Sequence, residues 1–246
     1  MIKAVLFDMD DTLLDINLTA FMALYAADMS RILSEISGES PLVLAAALGR
    51  CYLAMADPKR ADGLTNFQVY ARQFRRITGV PVDEPHTRVA LRFYERELLP
   101  RRGSGIVAAR PMPGGREAVE MVCKLGLRTA LATNPSFSGP CIHTRMKWAN
   151  ISDLPFERVS HMCNSTRLKP SARYYAEFTS ALGLHPEECL MVGNDARRDF
   201  PRPDIGMRTI YVGHARPSKA IWSGRMSELA SELPAIVDRC NVEDAR

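Results

Sequence analysis

Asp8, Asp10 and Asp11 stand at the end of an apolar run, in the opening stretch Ala4-Val5-Leu6-Phe7-Asp8-Met9-Asp10-Asp11-Thr12. A short apolar run cut off by polar residues reads as a strand buried on both faces, as in a parallel sheet. Residues two apart in an extended chain point the same way, so Asp8 and Asp10 face one space just past the carboxyl end of that strand. Open α/β sheets bind their ligands there. Two carboxylates this close repel unless a proton or a cation lies between them. The chemistry the pair suits is an Asp nucleophile, a second Asp passing protons, and a hard divalent metal on the group under attack. A solvated acidic turn is the bland alternative.

Three more polar clusters are read as following strand ends: Thr133-Asn134, Lys169-Pro170, and Asn194-Asp195 with Asp199. In a parallel sheet all strand carboxyl ends share one edge, so the four clusters can converge. Together they supply what phosphoryl transfer requires. A carboxylate attacks, a hydroxyl and backbone N–H groups hold phosphate oxygens, a lysine offsets charge, and acidic residues hold magnesium. Each residue also has a structural reading: Thr133 as a strand-end cap, Lys169 as a surface lysine before a helix, Asp195 as a helix N-cap.

The elements that must position these groups fall into two parts. Residues 15–104 are helical: Phe21, Tyr25, Met29 and Ile32 recur at helical spacing, as do Phe67, Tyr70, Phe74 and Ile77, then Val89, Phe93 and Leu98. Pro41, Pro58, Pro81 and Pro85 punctuate them. From residue 105 onward helices and strands alternate. The spacing predicts helices over 116–125, over 171–182 and from Met226 to Ile236, with strands over 127–132, 158–162, 190–192 and 209–212. Strands separated by helices imply right-handed crossovers and an α/β fold built on a doubly wound parallel sheet. The expected division is a core domain of residues 1–14 and 105–246 and an α-helical cap domain of residues 15–104.

On these residues the chain resembles the haloacid dehalogenase-like (HAD) hydrolase superfamily. It carries Asp-x-Asp-x-Thr at Asp8 to Thr12, a strand ending in Thr133, Lys169 followed by Pro170, and an acidic Gly-Asn-Asp-x-x-x-Asp run from Gly193 to Asp199, in that order. The helical insert occupies the place of that family's helical cap. The resemblance implies a Rossmann-like core and a magnesium-dependent phosphatase in which Asp8 forms an aspartyl-phosphate. Asp10 would protonate the leaving oxygen and then activate water. Thr133, Asn134 and Lys169 would bind the phosphoryl group. Magnesium would be held by Asp8, the Asp10 backbone carbonyl and Asp195, with Asn194 and Asp199 as the other candidate ligands. A phosphomutase, a dehalogenase, and a degenerate member serving as a binding module are the alternatives within the same family. Asp10 argues against the dehalogenase.

Two departures stand out. Asn194 occupies a position where many relatives have Asp. Pro201 and Pro203 should break the helix that usually follows the fourth motif. In the helical part, Arg72, Arg75 and Arg76 read first as a solvated helix face, and Phe21, Tyr25 and Phe67 read first as core rather than pocket lining. Two linkers, near Asp15 and over 101–105, are expected to let the cap open and close.

Composition sets the outer bounds. The 246 residues carry a net charge of +4, with Lys and Arg scattered rather than blocked, so no nucleic-acid partner is expected. The partner expected is a small phosphorylated metabolite. Six cysteines show no CxxC pair, and Asp8 interrupts the apolar N-terminus, which points to neither a zinc site nor a secretory leader. No stretch approaches the ~20 apolar residues of a membrane span. A reducing cytoplasm is the expected location.

Overall fold

A computed structural model describes residues 1–245. In chain order the elements are β1 (Ala4–Phe7), β2 (Leu14–Asp15), α1 (Leu18–Ser37), α2 (Pro41–Ala56), α3 (Asn66–Thr78), α4 (Pro85–Phe93) and β3 (Arg110–Pro111). After these come α5 (Gly115–Lys124), β4 (Arg128–Leu131), α6 (Gly139–Trp148), β5 (Phe156–Val159), α7 (Ala172–Ser180), β6 (Cys189–Gly193), β7 (Arg208–Val212), β8 (Ala220–Gly224) and α8 (Met226–Asp244).

β1 forms a central strand because it is apolar on both faces. All four of its residues are buried. Val5 and Phe7 pack with Val119 and Val122 of α5 and Leu229 and Leu233 of α8. Ala4 and Leu6 turn the other way, onto Tyr174, Tyr175 and Phe178 of α7. That alternation is the two-residue period of a strand covered by helices on each side. The sheet has six strands in the order β5-β4-β1-β6-β7-β8, with every pairing parallel. This is the doubly wound α/β sheet expected from the alternation.

The helical part, α1 to α4 with a π-helical turn over Tyr94–Leu98, has a core of its own. Leu33, Leu44, Cys51, Tyr70 and Phe74 cluster there with Met162 and Leu168 of the α/β part. Local signals set its boundaries. The Asn17 side chain accepts from Ala20 N at 3.1 Å to start α1, and Gly38, at φ 76°, ends it. Thr65 and Gln68 form a capping box at the start of α3. Pro41 and Pro85 each open a helix, at the position where a missing N–H costs nothing.

The chain enters and leaves the helical part through two paired strands, β2 and β3, with Asp15 opposite Arg110. Arg110 Nε donates to Asp15 Oδ2 at 2.7 Å. The helical part is docked: Asn66 N donates to Ser165 O and Phe67 N to Met162 O, both at 2.8 Å. The buried Asn66 amide adds bonds to Pro135 O and Arg167 O at 3.1 and 3.2 Å.

Boundaries mostly differ from expectation by one or two residues. The strand expected over 158–162 lies at Phe156–Val159. The final helix continues past Ile236 to Asp244 with Pro234 inside it. After Gly193 the chain makes only a hydrogen-bonded turn, with Asp199 N donating to Asp195 O at 2.7 Å, before Pro201 and Pro203. The sequence pattern does not show α6, β8 or the short strands β2 and β3. Among the described residues no helix is long and apolar enough to cross a membrane.

Candidate active site

Register brings three of the four clusters together, at the ends of β1, β4 and β6, whereas Lys169 follows no strand end and reaches the site from the loop before α7. Phe7 is level with Leu131 of β4 and Val192 of β6. The next residues along are Asp8, Ala132-Thr133 and Gly193-Asn194. Asp8 is still held in the ladder, its N–H donating to Val192 O at 2.9 Å. Beyond it the chain folds back at once: Leu13 N and Leu14 N both donate to Met9 O at 2.8 Å. Asp11 sits at φ 55°, a left-handed conformation that Asp tolerates better than most side chains.

Lys169 joins the carboxylates. Its fully buried Nζ donates to Asp8 Oδ1 at 2.7 Å and to Asp199 Oδ1 at 2.8 Å. With two carboxylates as partners, the ammonium stays charged despite its burial, its pKa pushed upward. Asp8 experiences the opposite balance. Burial, with Asp199 and Asp10 nearby, pushes its carboxyl up to about 7 against the pull of Lys169. The other Asp8 oxygen accepts from Thr12 Oγ1 at 3.3 Å, and the same hydroxyl lies 3.2 Å from Asn194 Oδ1. Asp8 Oδ2 and Asn194 Oδ1 therefore converge on one small group at the sheet edge.

Asp195 and Asp199 are occupied differently. The Asp195 carboxylate accepts from Arg197 N at 2.8 Å and lies 3.7 Å from Arg198 Nε, turned into its own turn. Asp199, almost fully buried, binds Lys169 through one oxygen and accepts from Asp195 N at 2.9 Å through the other. Gly193 is glycine for a reason: a Cβ there would fall onto the Asp199 carboxylate. Thr133 is buried, and its carbonyl accepts from Tyr174 OH at 3.1 Å and from Ser160 Oγ at 2.5 Å. Asn134 Oδ1 accepts from Lys169 N at 3.2 Å, tying the second cluster to the third.

The oxygen donors present suit a hard divalent cation. Asp8 Oδ2, the Asn194 amide oxygen and the chain at Asp10 are the ligand type magnesium takes. Asp8 is a buried carboxylate with two carboxylate neighbours and one lysine shared with Asp199, so a second positive charge at this point relieves it.

One residue of the site carries no signal in the sequence. Arg145 of α6 is fully buried and ion-paired through Nη2 with Asp10 Oδ1. Its guanidinium lies 4.9 Å from the ring centre of Phe21 in α1 and 5.0 Å from that of Phe137. Arg145 thus links the second aspartate of the first motif to the helical part. Arg72, Arg75 and Arg76 are all exposed, as a solvated face requires. Phe21 is core, but Tyr25 and Phe67 line a cavity of about 320 Å³ between the helical part and the loop 136–140.

The family model described as haloacid dehalogenase-like hydrolase matches residues 2–201. The chain is similar to an N-acetylmuramic acid 6-phosphate phosphatase from Pseudomonas aeruginosa, with 28% identity covering 97% of this chain and 96% of the relative. Among solved structures it is similar to a HAD phosphatase from Thermococcus onnurineus, with a TM-score of 0.57 and 19% identity, covering 96% of this chain and 98% of that one. A β-phosphoglucomutase from Clostridium difficile gives the same TM-score at 15% identity, with both chains fully covered, so the fold by itself does not separate hydrolase from mutase. The match over most of its length shows that this chain belongs to the haloacid dehalogenase-like hydrolases.

Proposed function

We propose that the protein is a magnesium-dependent phosphatase that cleaves a small phosphate monoester through an aspartyl-phosphate on Asp8. The observation that carries the reading is the Asp8–Lys169–Asp199 triad, with Asp10 two residues from the nucleophile. An Asp8 oxygen attacks phosphorus, the bond from phosphorus to the leaving alcohol breaks, and Asp10 gives its proton to the alkoxide. Water then attacks the phosphorus of the acyl phosphate and loses its proton to Asp10, which releases inorganic phosphate and restores Asp8. Lys169 offsets the charge on Asp8 and on the phosphoryl oxygens, and Thr133 and Asn134 hold those oxygens at the end of β4. Magnesium would be held by Asp8, the Asp10 backbone carbonyl and a fourth-motif residue, and supplies positive charge to the transferring group. The placement of the side chains favours Asn194 for that third ligand over Asp195.

Residues 15–104 act as the cap over this edge. The relative named for N-acetylmuramic acid 6-phosphate makes sugar phosphates a first panel of substrates. The test is hydrolysis of p-nitrophenyl phosphate with magnesium and with EDTA, by the wild type and by Asp8→Asn. Release of p-nitrophenol that needs both magnesium and Asp8 is the expected result. Equal activity in EDTA, or in Asp8→Asn, contradicts it. Transfer of phosphate to a second sugar hydroxyl instead of water would identify a mutase.

A further inference from the structure

The cavity beneath the helical part is unlike the polar sheet edge it adjoins. A half-open space of about 320 Å³ lies between α1 to α4 and the loop that follows Thr133-Asn134. Its walls are mostly apolar, with Met29, Leu48, Phe67, Leu91, Phe137 and Met162 among them. Its polar groups include the Arg88 and Arg92 guanidinium groups, the Glu95 carboxylate and the Ser136 and Ser138 hydroxyls. Glu95 is buried and accepts from Tyr25 OH at 2.6 Å. The Arg88 guanidinium lies over the Phe67 ring at 5.5 Å. Tyr70, only 8% exposed, lines the cavity, and its hydroxyl has no hydrogen-bond partner among the described residues.

Two observations point to a ligand rather than a packing gap. A buried hydroxyl without a partner is uncommon in a folded protein, and here it sits in the wall of a space large enough for a ring system. The cavity also adjoins the loop that carries the second cluster, since Ser136 and Phe137, just beyond Asn134, stand in its wall. Phe137 forms part of its wall, and the same ring carries the Arg145 guanidinium that grips Asp10. A phosphoryl group on Asp8 would thus have its leaving oxygen at Asp10 and its alcohol directed past Phe137.

We infer that this cavity binds the leaving alcohol of the substrate, and that this alcohol carries an apolar body of about ring size with one hydrogen-bonding group for Tyr70. The inference rests on the phosphatase reading and narrows it. A bare polyol would lose its water against Met29, Leu48 and Phe67 wherever it faces away from Arg88, Arg92 and Glu95, whereas an aryl or alkyl body is stabilised by the same walls.

The experiment compares 2-naphthyl phosphate with glucose 6-phosphate. Gly49 of α2 lines the cavity, and a Cβ placed there meets no atom within 4 Å. Gly49→Phe therefore fills the space without a backbone clash, and it replaces a poor helix former. For the wild type with magnesium, kcat/KM for 2-naphthyl phosphate should exceed that for glucose 6-phosphate at least tenfold, and Gly49→Phe should bring the ratio towards one. Equal values in the wild type, or a ratio unmoved by Gly49→Phe, would overturn the inference. A second arm does not need turnover: calorimetric binding of both esters to Asp8→Asn and to Asp8→Asn/Gly49→Phe. A tenfold preference for the naphthyl ester that the second substitution removes supports the cavity assignment, even if no ester were hydrolysed and the phosphatase reading fell. Absence of any preference overturns it in either case.

Discussion

The carboxyl edge of the sheet and the cavity above it are both assembled from distant parts of the chain, but they are held by opposite means. At the edge, charges answer one another: Lys169 lies between Asp8 and Asp199, and Arg145 meets Asp10. In the cavity the walls are side chains of flexible shape, four of them Met22, Met29, Met55 and Met162, around a Tyr70 hydroxyl with no partner among the described residues. A buried charge network tolerates almost no change, because each removed partner strands another. An apolar wall can be reshaped at modest cost. On the proposed reading, the chemistry would reside at the edge and selection among substrates in the cavity.

That contrast can be broken most severely at Lys169. Lys169→Met leaves Asp8 and Asp199 as buried carboxylates without a cation. Such a loss costs about 3–5 kcal/mol of stability as well as phosphate-ester turnover. Urea unfolding of the variant measures it, and a variant as stable as the wild type would remove the triad from the account. Arg145→Met comes next. It frees Asp10 and forfeits two cation–π contacts, but Asp10 keeps partial access to water, so about 2–4 kcal/mol is expected. Turnover should fall with it, because Asp10 loses the group that fixes its orientation.

A smaller effect belongs to His161, half-buried beside the loop that borders the cavity. Burial, with Arg158 nearby, lowers its pKa below the ordinary 6.5. The folded chain therefore binds fewer protons at this ring than the unfolded chain. Its contribution to stability is complete above pH 6.5 and is lost as pH falls through the lower folded value. Unfolding curves from pH 7.5 to 5 should show the wild type losing stability relative to His161→Gln, and parallel curves would contradict this. The smallest effect is expected at Arg75→Ala and Arg76→Ala on the exposed face of α3, within about 0.5 kcal/mol and with kcat/KM unchanged.

The legible and the hidden parts of this protein divide on the same line. β1 and its aspartates could be read because a run buried on both faces has no polar residue until it ends. Parallel pairing then places Thr133 and Asn194 with Asp8, while Lys169 comes in from a loop that no strand pairing fixes. Asn194 and Asp195 could not be separated in the sequence. Adjacent residues of a turn point different ways, and only the turn closed by Asp199 N–Asp195 O directs Asp195 outward. Helix α6 was invisible because its buried residues are Cys141, Ile142, Thr144, Arg145 and Met146, a set in which two polar side chains erase the apolar stripe. Arg145 is hidden for the same reason, since an arginine in a sequence reads as surface. The half-buried edge strand β8 offers no continuous apolar run. Tyr25 and Phe67 have the spacing of core residues, and helical spacing cannot distinguish a wall with a neighbour from a wall facing a cavity.

The central claim is that Asp8 itself takes the phosphoryl group. A direct measurement is to quench the enzyme in acid during turnover of p-nitrophenyl phosphate with magnesium, treat it with borohydride, and map the peptides by mass spectrometry. An acyl phosphate on the carboxylate is reduced to the alcohol, so the account predicts homoserine at position 8 and nowhere else, and none in a sample without substrate. Steady hydrolysis with Asp8 unreduced, or homoserine at Asp10 instead, would contradict it.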